Sequence, residues 1–321
     1  MYYNDTFKQN YLETLSRRDQ RNRANKMFDT AKEIETEKGK DLGLWNHDEV
    51  VWLISRLATI DLVTLKTQIL DVYAYQQWYL REIGEGEDNN EAAMNVACNQ
   101  KKIVREDVNF ETAFRDCTYL DVAESLREIA SVIELDHGNV TPPAICFAWL
   151  NIDIEVAVQI PKDGVNFRDG TVRDEHGNIL AANIPDEIVS VLRTYDQTLI
   201  GKQGRKPAYP IENGKFLRHF ESSIAHANRD PFTVNVVTTS ISRVKNKIME
   251  QCGSPRLSYA NVQKSAQFKM MLDREPTSFL SPEGRQFVEK LCGNGKKDFQ
   301  KSRIYDVLYM YEQYKKVFNL N

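Results

Sequence analysis

Nothing in this chain has the spacing of a metal site or a redox dithiol. The five cysteines (Cys98, Cys117, Cys146, Cys252, Cys292) are odd in number, scattered and never arranged as C-x-x-C. That excludes a disulfide framework and fits a reducing cytoplasm. No H-E-x-x-H, paired Cys/His set or EF-hand loop occurs, so neither a metal nor a cofactor is expected. Gly84-Glu85-Gly86 and Gly293-Asn294-Gly295-Lys296 lack the rest of a dinucleotide or P-loop motif and read as turns. There is no G-x-S-x-G elbow, and His47, His137, His176, His219 and His226 show no nucleophile–base pattern. No apolar run approaches the ~18–20 residues of a membrane helix. The opening MYYNDTFKQNYLE has neither the basic start nor the apolar stretch of a signal peptide. Membrane partners are therefore not expected.

What is present is enough apolar residue for real cores: 41% of 321 residues, a length suited to two domains. The formal charge of −4 argues at first sight against nucleic acid, but the charge is unevenly placed. Residues 108–200 carry 6 Lys+Arg against 16 Asp+Glu, whereas residues 201–274 carry 13 against 5, a local +8. A second basic run, SRRDQRNRANK at residues 16–26, sets Arg17, Arg18, Arg21, Arg23 and Lys26 against Asp19 alone. Attraction to a polyanion is governed by local potential within a Debye length of ~8–10 Å. Either run alone reads equally as a solvated helix face; two of them on an acidic chain point to an anionic partner.

Hydrophobic periodicity predicts a mainly α chain with one small β-meander. Helices are expected over 7–38, 47–58 and 64–81, the last with Leu65, Ile69, Val72, Tyr73, Tyr79 and Leu80 on one face and Lys66 and Thr67 off it. One more follows to about residue 103, closing an all-helical domain over 1–104. A second domain, 105–321, opens with helices near 121–135 and at Thr141-Pro142-Pro143, proline being tolerated in a first turn. Short strands separated by Asp169-Gly170 and His176-Gly177-Asn178 predict a three-stranded meander near 165–184. A helix follows it, then GKQGRKPAYP (201–210) reads as an exposed basic loop carrying Arg205 and Lys206, with helices at 213–227, 234–250, 258–272, 282–291 and 303–318. The pair around CGSPRL, with Ser258 as N-cap, suggests either an ordinary αα-hairpin or a helix-turn-helix whose second helix reads a major groove through Gln263, Lys264, Gln267 and Lys269.

Element order and several segments resemble the tyrosine recombinase, or phage integrase, family. EKGKDLGLWNHDEVVWLISRLATIDLVTLKTQILDVYAYQQW has the cadence of its core-binding domain. Glu155-Val156-Ala157-Val158 through VNFRDGTV resembles the helix bearing its first arginine and the following meander. LSYANVQKSAQF resembles its H-x-x-R helix, and Leu291-Cys292-Gly293 through Ser302-Arg303-Ile304-Tyr305 its closing tyrosine segment. The resemblance implies a two-domain DNA clamp. The family cuts DNA with a tyrosine, and its arginines stabilise a pentavalent phosphate as bidentate, charge-assisted donors. Carried over residue by residue, that set is broken: the first arginine falls at Ile152, the H-x-x-R helix reads Ala260 to Gln263, the meander turn offers no lysine, and a third-position histidine falls near Asn294. Tyr305 remains as the relic of that tyrosine, with Tyr309 or Tyr311 as equal alternatives in the alignment. Within the family the chain resembles the degenerate master repressors of SPβ-type Bacillus prophages, which maintain lysogeny.

The resemblance thus implies a sequence-specific repressor on double-stranded operator DNA, in the host cytoplasm on the nucleoid, with recombinase chemistry lost. Arg17, Arg18, Arg21, Arg23, Lys26, Lys66 and Thr67 would serve the first domain, and Arg205, Lys206, Arg243, Lys245, Lys247, Lys264 and Lys269 the second, with Gln263 and Gln267 reading bases. The alternatives are an active recombinase using Tyr305 and a helical scaffold that binds RNA or protein. The apolar stripe of helix 303–318 either docks on its own domain or mediates self-association. A regulatory peptide or second protein controlling DNA release stays open as a further partner.

Overall fold

The computed structural model describes residues 2–83, 90–133, 139–203, 206–221, 232–252, 255–274, 278–293 and 301–320. The chain divides into two compact units, Met1–Arg115 with Glu312–Asn321, and Asp116–Tyr311. The division thus falls after Arg115 rather than after 104, and the end of the last helix clusters with the first unit.

The first unit contains α1 (Asp5–Thr14), α2 (Arg18–Lys38), α3 (His47–Leu57), α4 (Leu62–Ile83) and the short α5 (Asn90–Met94), with α6 (Glu111–Cys117) crossing into the second. The single helix expected over 7–38 is two: the chain breaks at Leu15-Ser16-Arg17, where the Arg21 Nε donates to the Leu15 carbonyl at 2.6 Å. The helix expected to reach 103 is only α5, followed by 3₁₀ turns at Ala97–Asn99 and Arg105–Asp107. α4 buries Leu62, Leu65, Ile69, Val72, Tyr75, Gln76 and Tyr79. Tyr73 and Leu80, placed on that face from spacing, are only half-buried.

The segment GKDLGLWN is a buried polar joint. Gly39 ends α2 with a left-handed φ of 60°, the conformation glycine adopts most readily. Asp41 then caps the turn Leu42–Leu44, accepting from the Gly43 N–H at 2.7 Å and from the Tyr75 hydroxyl at 2.9 Å. Glu35 pairs with the wholly buried Lys8 and accepts from the Leu42 N–H at 2.8 Å. Burial pushes the Glu35 carboxyl above its ordinary range, with Lys8 opposing the rise. The Gln76 amide donates to the Leu42 and Trp45 carbonyls at 3.1 and 2.8 Å and accepts from the Cys98 N–H at 3.0 Å. Around this joint Tyr11, Phe28, Tyr75 and Trp78 form edge and stacked aromatic contacts. A Cβ on Gly43 would lie 2.2 Å from Tyr79 Cγ, at the base of a ring wedged against Phe7. Gly43→Ala is therefore expected to lower stability by about 1–3 kcal/mol, read as a drop in denaturation midpoint.

α3 opens with a capping box: Asn46 Oδ1 accepts from the Glu49 N–H at 3.0 Å and Glu49 accepts from the Asn46 N–H at 2.8 Å. Lys38 and Lys40 both reach the same Glu49 carboxylate at 2.8 Å. Burial alone would raise this carboxyl, but the lysine and backbone hydrogen bonds outweigh it and hold the group below its ordinary value. A depressed carboxyl stabilises the fold above its unfolded pKa of ~4.3 and loses that contribution as pH falls through the folded value. Glu49→Gln is therefore expected to destabilise at pH 7, with the difference from the parent shrinking below about pH 4. Denaturant titrations at pH 7 and pH 3.5 check this; an unchanged gap at both contradicts it.

The second unit is organised around α8 (Thr141–Trp149), all nine residues of which are buried. Earlier in the chain is α7 (Val122–Val132), whose Ser125 Oγ accepts from Trp149 Nε1 at 2.8 Å. After α9 (Ile154–Ala157), β1 (Val165–Asn166), β2 (Thr171–Arg173) and β3 (Ile179–Ala182) form the expected antiparallel meander, pairing Val165 with Val172 and Thr171 with Ala182. α10 (Asp186–Gln197) returns to α8. A second antiparallel sheet follows, β4 (Gly201–Gln203), β5 (Lys206–Pro210) and β6 (Phe220–Glu221) in that order. It replaces the basic loop expected at 201–210 and the first part of the helix expected at 213–227; residues 222–227 lie outside the described residues. α11 (Val234–Cys252), α12 (Tyr259–Asp273), α13 (Pro282–Gly293) and α14 (Lys301–Phe318) complete the chain. The α14 stripe docks on the chain itself: Ile304, Val307, Met310, Tyr311 and Tyr314 are buried, with Tyr314 against Phe114. Among the described residues no helix is long and apolar enough to cross a membrane.

Candidate nucleic-acid interface

In the first unit the arginine cluster lies on the opening turns of α2. Arg17 and Arg18 are exposed; Arg17 pairs with Asp19 at 2.9 Å, and that pairing holds the Asp19 carboxyl below its ordinary value. Arg21 is exposed beyond its bond to the Leu15 carbonyl. Arg23 is engaged differently. Its guanidinium grips Asp71 of α4 at 2.6 and 3.3 Å and reaches Asp19 at 3.1 Å. Engaged in this way, Arg23 acts as the strut that ties the cluster to the middle of α4. Lys26 is exposed one turn further along α2.

The strut sets α2 beside the solvent stripe of α4. Lys66 is exposed there, and the Thr67 hydroxyl donates to the Val63 carbonyl at 3.1 Å. Two apolar neighbours, Val63 at 48% and Leu70 at 66% exposure, flank them. Residues 63, 66, 67 and 70 share one side of a helix of 3.6 residues per turn, so the stripe mixes a cation, a hydroxyl and two bare aliphatic groups. Val63 and Leu70 were legible only as residues off the buried stripe of α4.

In the second unit the basic face belongs to α11. Val237, Ile241, Val244 and Ile248 face the core. On the other side Thr238, Thr239, Ser242, Arg243, Asn246 and Lys247 are exposed and Lys245 is half-exposed. From Phe232 to Met249 there is no acidic residue, and Arg243, Lys245 and Lys247 make no ion pair among the described residues. Hydroxyls, an amide and cations on one face are the donors that phosphate oxygens take.

α12 turns one side into the core. Tyr259, Val262, Ser265, Ala266, Gln267, Phe268 and Met271 are all buried, and the helix packs on α8. Gln267 is one of its core residues: its amide donates to Asn151 Oδ1 at 2.9 Å and to the Leu291 carbonyl at 3.4 Å. Gln263 is half-buried, its amide nitrogen enclosed without a partner. The Lys264 ammonium lies over the Phe268 ring, 5.5 Å from its centroid, and Lys269 meets Asp273 at 3.5 Å. Lys206 lies in β5, and Arg205 lies outside the described residues.

Among the described residues, none of the positions of the recombinase set is a cation. Ile152 is buried, and its carbonyl accepts from the Tyr259 hydroxyl at 2.8 Å. Ala260 is exposed, Asn294 lies outside the described residues, and Tyr305 is 51% exposed with the Arg285 guanidinium 5.8 Å from its ring centroid. Among the described residues no group of three or more His, Cys, Asp or Glu is placed to hold a metal ion.

No curated protein matches the chain. Residues 2–81, which span α1 to α3 and nearly all of α4, match the family model described as MrpR, N-terminal core-binding domain.

Proposed function

We infer that the protein is a sequence-specific double-stranded-DNA-binding repressor of a phage or prophage, acting on operators in the bacterial host and keeping lysogeny, without strand-cleaving chemistry. The observation that carries this reading is the core-binding-domain match over residues 2–81, coinciding with the helices whose outer faces bear Arg17, Arg18, Arg21, Lys26 and Lys66. Phosphate contacts from these cations supply affinity and register. Thr67 and the aliphatic Val63 and Leu70 suit the methyl group of thymine, so base reading is assigned to α4 rather than to α12. The earlier resemblance to SPβ-type prophage repressors belongs to this proposal, as does the loss of catalysis: an isoleucine at the first arginine position and Ala260 and Gln263 in the second motif leave phosphoryl transfer without preorganised donors, each commonly worth ~10²–10³ in rate.

The test is a binding selection from a random duplex library, followed by titration of the enriched site at several salt concentrations. Enrichment of one sequence and a steep fall in affinity with salt are expected; no enriched duplex contradicts the reading. A second reading, recombination through Tyr305, draws on the exposure of that residue, with the Arg285 guanidinium over its ring. A covalent adduct on a nicked suicide substrate, abolished by Tyr305→Phe, would establish it.

A further inference from the structure

The second unit contains a cavity of about 600 Å³ between the end of α8, β3, α12 and α13, which neither the DNA contacts nor the relic positions use. Its walls are largely apolar, with Trp149, Leu180, Met270 and Phe287 among them. Three cations line it as well, Lys269, Arg274 and Lys290, against the single carboxylate of Asp273. Asp273 pairs with Lys269 at 3.5 Å. Arg274 lies flat on Phe287, 3.9 Å from the ring centroid, and neither it nor Lys290 has an ion-pair partner among the described residues. An apolar chamber of this size, whose described lining sets three cations against one carboxylate, is complementary to an amphipathic anion.

The polar end of the chamber is fixed before any ligand arrives. Asn151, which lines it, has a left-handed backbone with φ of 57°. Its amide donates to the Leu291 carbonyl at 2.7 Å and its oxygen accepts from Gln267. These bonds join α8, α12 and α13 across the chamber floor, so the walls are held by satisfied hydrogen bonds and the site is preformed. The same bonds account for the burial of Gln267.

We propose that this cavity binds a small organic anion with an apolar body and one carboxylate or sulfonate head, the body against Leu180, Met270 and Phe287 and the head at Arg274 and Lys290. The assignment goes beyond the DNA-binding reading and is independent of it.

The test uses the full chain, the fluorescent anion 8-anilinonaphthalene-1-sulfonate as probe, and decanoate as competitor. Saturable one-to-one binding is expected, with displacement by decanoate and none by dodecyltrimethylammonium at equal concentration. The double variant Arg274→Glu/Lys290→Glu is expected to weaken decanoate binding about tenfold or more. Ala182 is an exposed lining residue, so Ala182→Trp plugs the mouth without disturbing the core and should abolish probe binding with an unchanged near-ultraviolet circular dichroism spectrum. Equal displacement by the cationic amphiphile, undiminished decanoate binding in the double variant, or probe binding that ignores Ala182→Trp would each overturn the proposal. Displacement of the probe by duplex DNA would also overturn it and assign the chamber to the nucleic-acid surface.

Discussion

Lys8→Met is expected to destabilise the first unit by about 3–5 kcal/mol, since it leaves the Glu35 carboxylate buried without its counter-charge. Both side chains are wholly inaccessible, so water cannot replace the lost ammonium. Folded domains are stable by only about 5–15 kcal/mol, so the change removes a large share of the margin. The loss should ease as pH falls. A buried carboxyl with a raised pKa binds a proton more readily folded than unfolded, so its unfavourable contribution is absent below the unfolded value of ~4.3 and grows as pH rises through the folded one. Without Lys8 the folded value rises further. Adding Glu35→Gln should recover at least half of the deficit at pH 7, because the amide oxygen still accepts from the Leu42 N–H and the charge is gone. Tryptophan fluorescence during urea unfolding reports the result: three of the four tryptophans, Trp45, Trp52 and Trp78, are in the first unit. A Lys8→Met midpoint equal to the parent's would show that the pair is not what holds the joint.

That joint was only partly legible in the sequence. The run GKDLGLW marks a helix stop and a turn, and it has the cadence of a core-binding domain, but a lysine in a helix as polar as α1 reads as solvated. Its burial depends on Glu35, 27 residues away, and no local pattern encodes that pairing. The burial of the inner side of α12 is hidden for a related reason. Its polar residues Ser265 and Gln267 break the apolar stripe, yet both are satisfied inside: the Ser265 hydroxyl accepts from the Tyr119 N–H at 3.0 Å and donates to the Asn261 carbonyl at 2.7 Å. The second sheet was hidden by Pro207 and Pro210, which argue against a strand between two neighbours. β5 tolerates them because its two ends pair in succession, Lys206 to Ala208 with β4 and Tyr209 to Pro210 with β6. By contrast, the meander and the start of α8 follow from turn glycines and from prolines in a first turn. These are local signals that packing had no reason to override.

The largest effect on DNA binding is expected from α11. Arg243→Gln, Lys245→Gln and Lys247→Gln together remove three phosphate donors from a face with no acidic residue between Phe232 and Met249. Each phosphate contact contributes about 0.9 to the slope of log affinity against log salt, so the triple variant should lose about 2.7 from that slope. Counterion release acts relative to about 1 M salt. The two proteins should therefore converge near that concentration and differ by about 10²–10³ in affinity at 0.1 M. The core is untouched, because Val237, Ile241, Val244 and Ile248 carry the packing, so the thermal midpoint should not move. Lys269→Gln should leave slope and affinity unchanged, since that ammonium faces Asp273 and the cavity. Equal slopes for the parent and the triple variant would remove α11 from the interface and leave α2 and α4 as the DNA-binding surface. A loss of slope in Lys269→Gln would place α12 back in contact with phosphate despite its buried side. The two variants thus separate charge that is merely present in residues 201–274 from charge displayed on one helix face, which only the fold distinguishes.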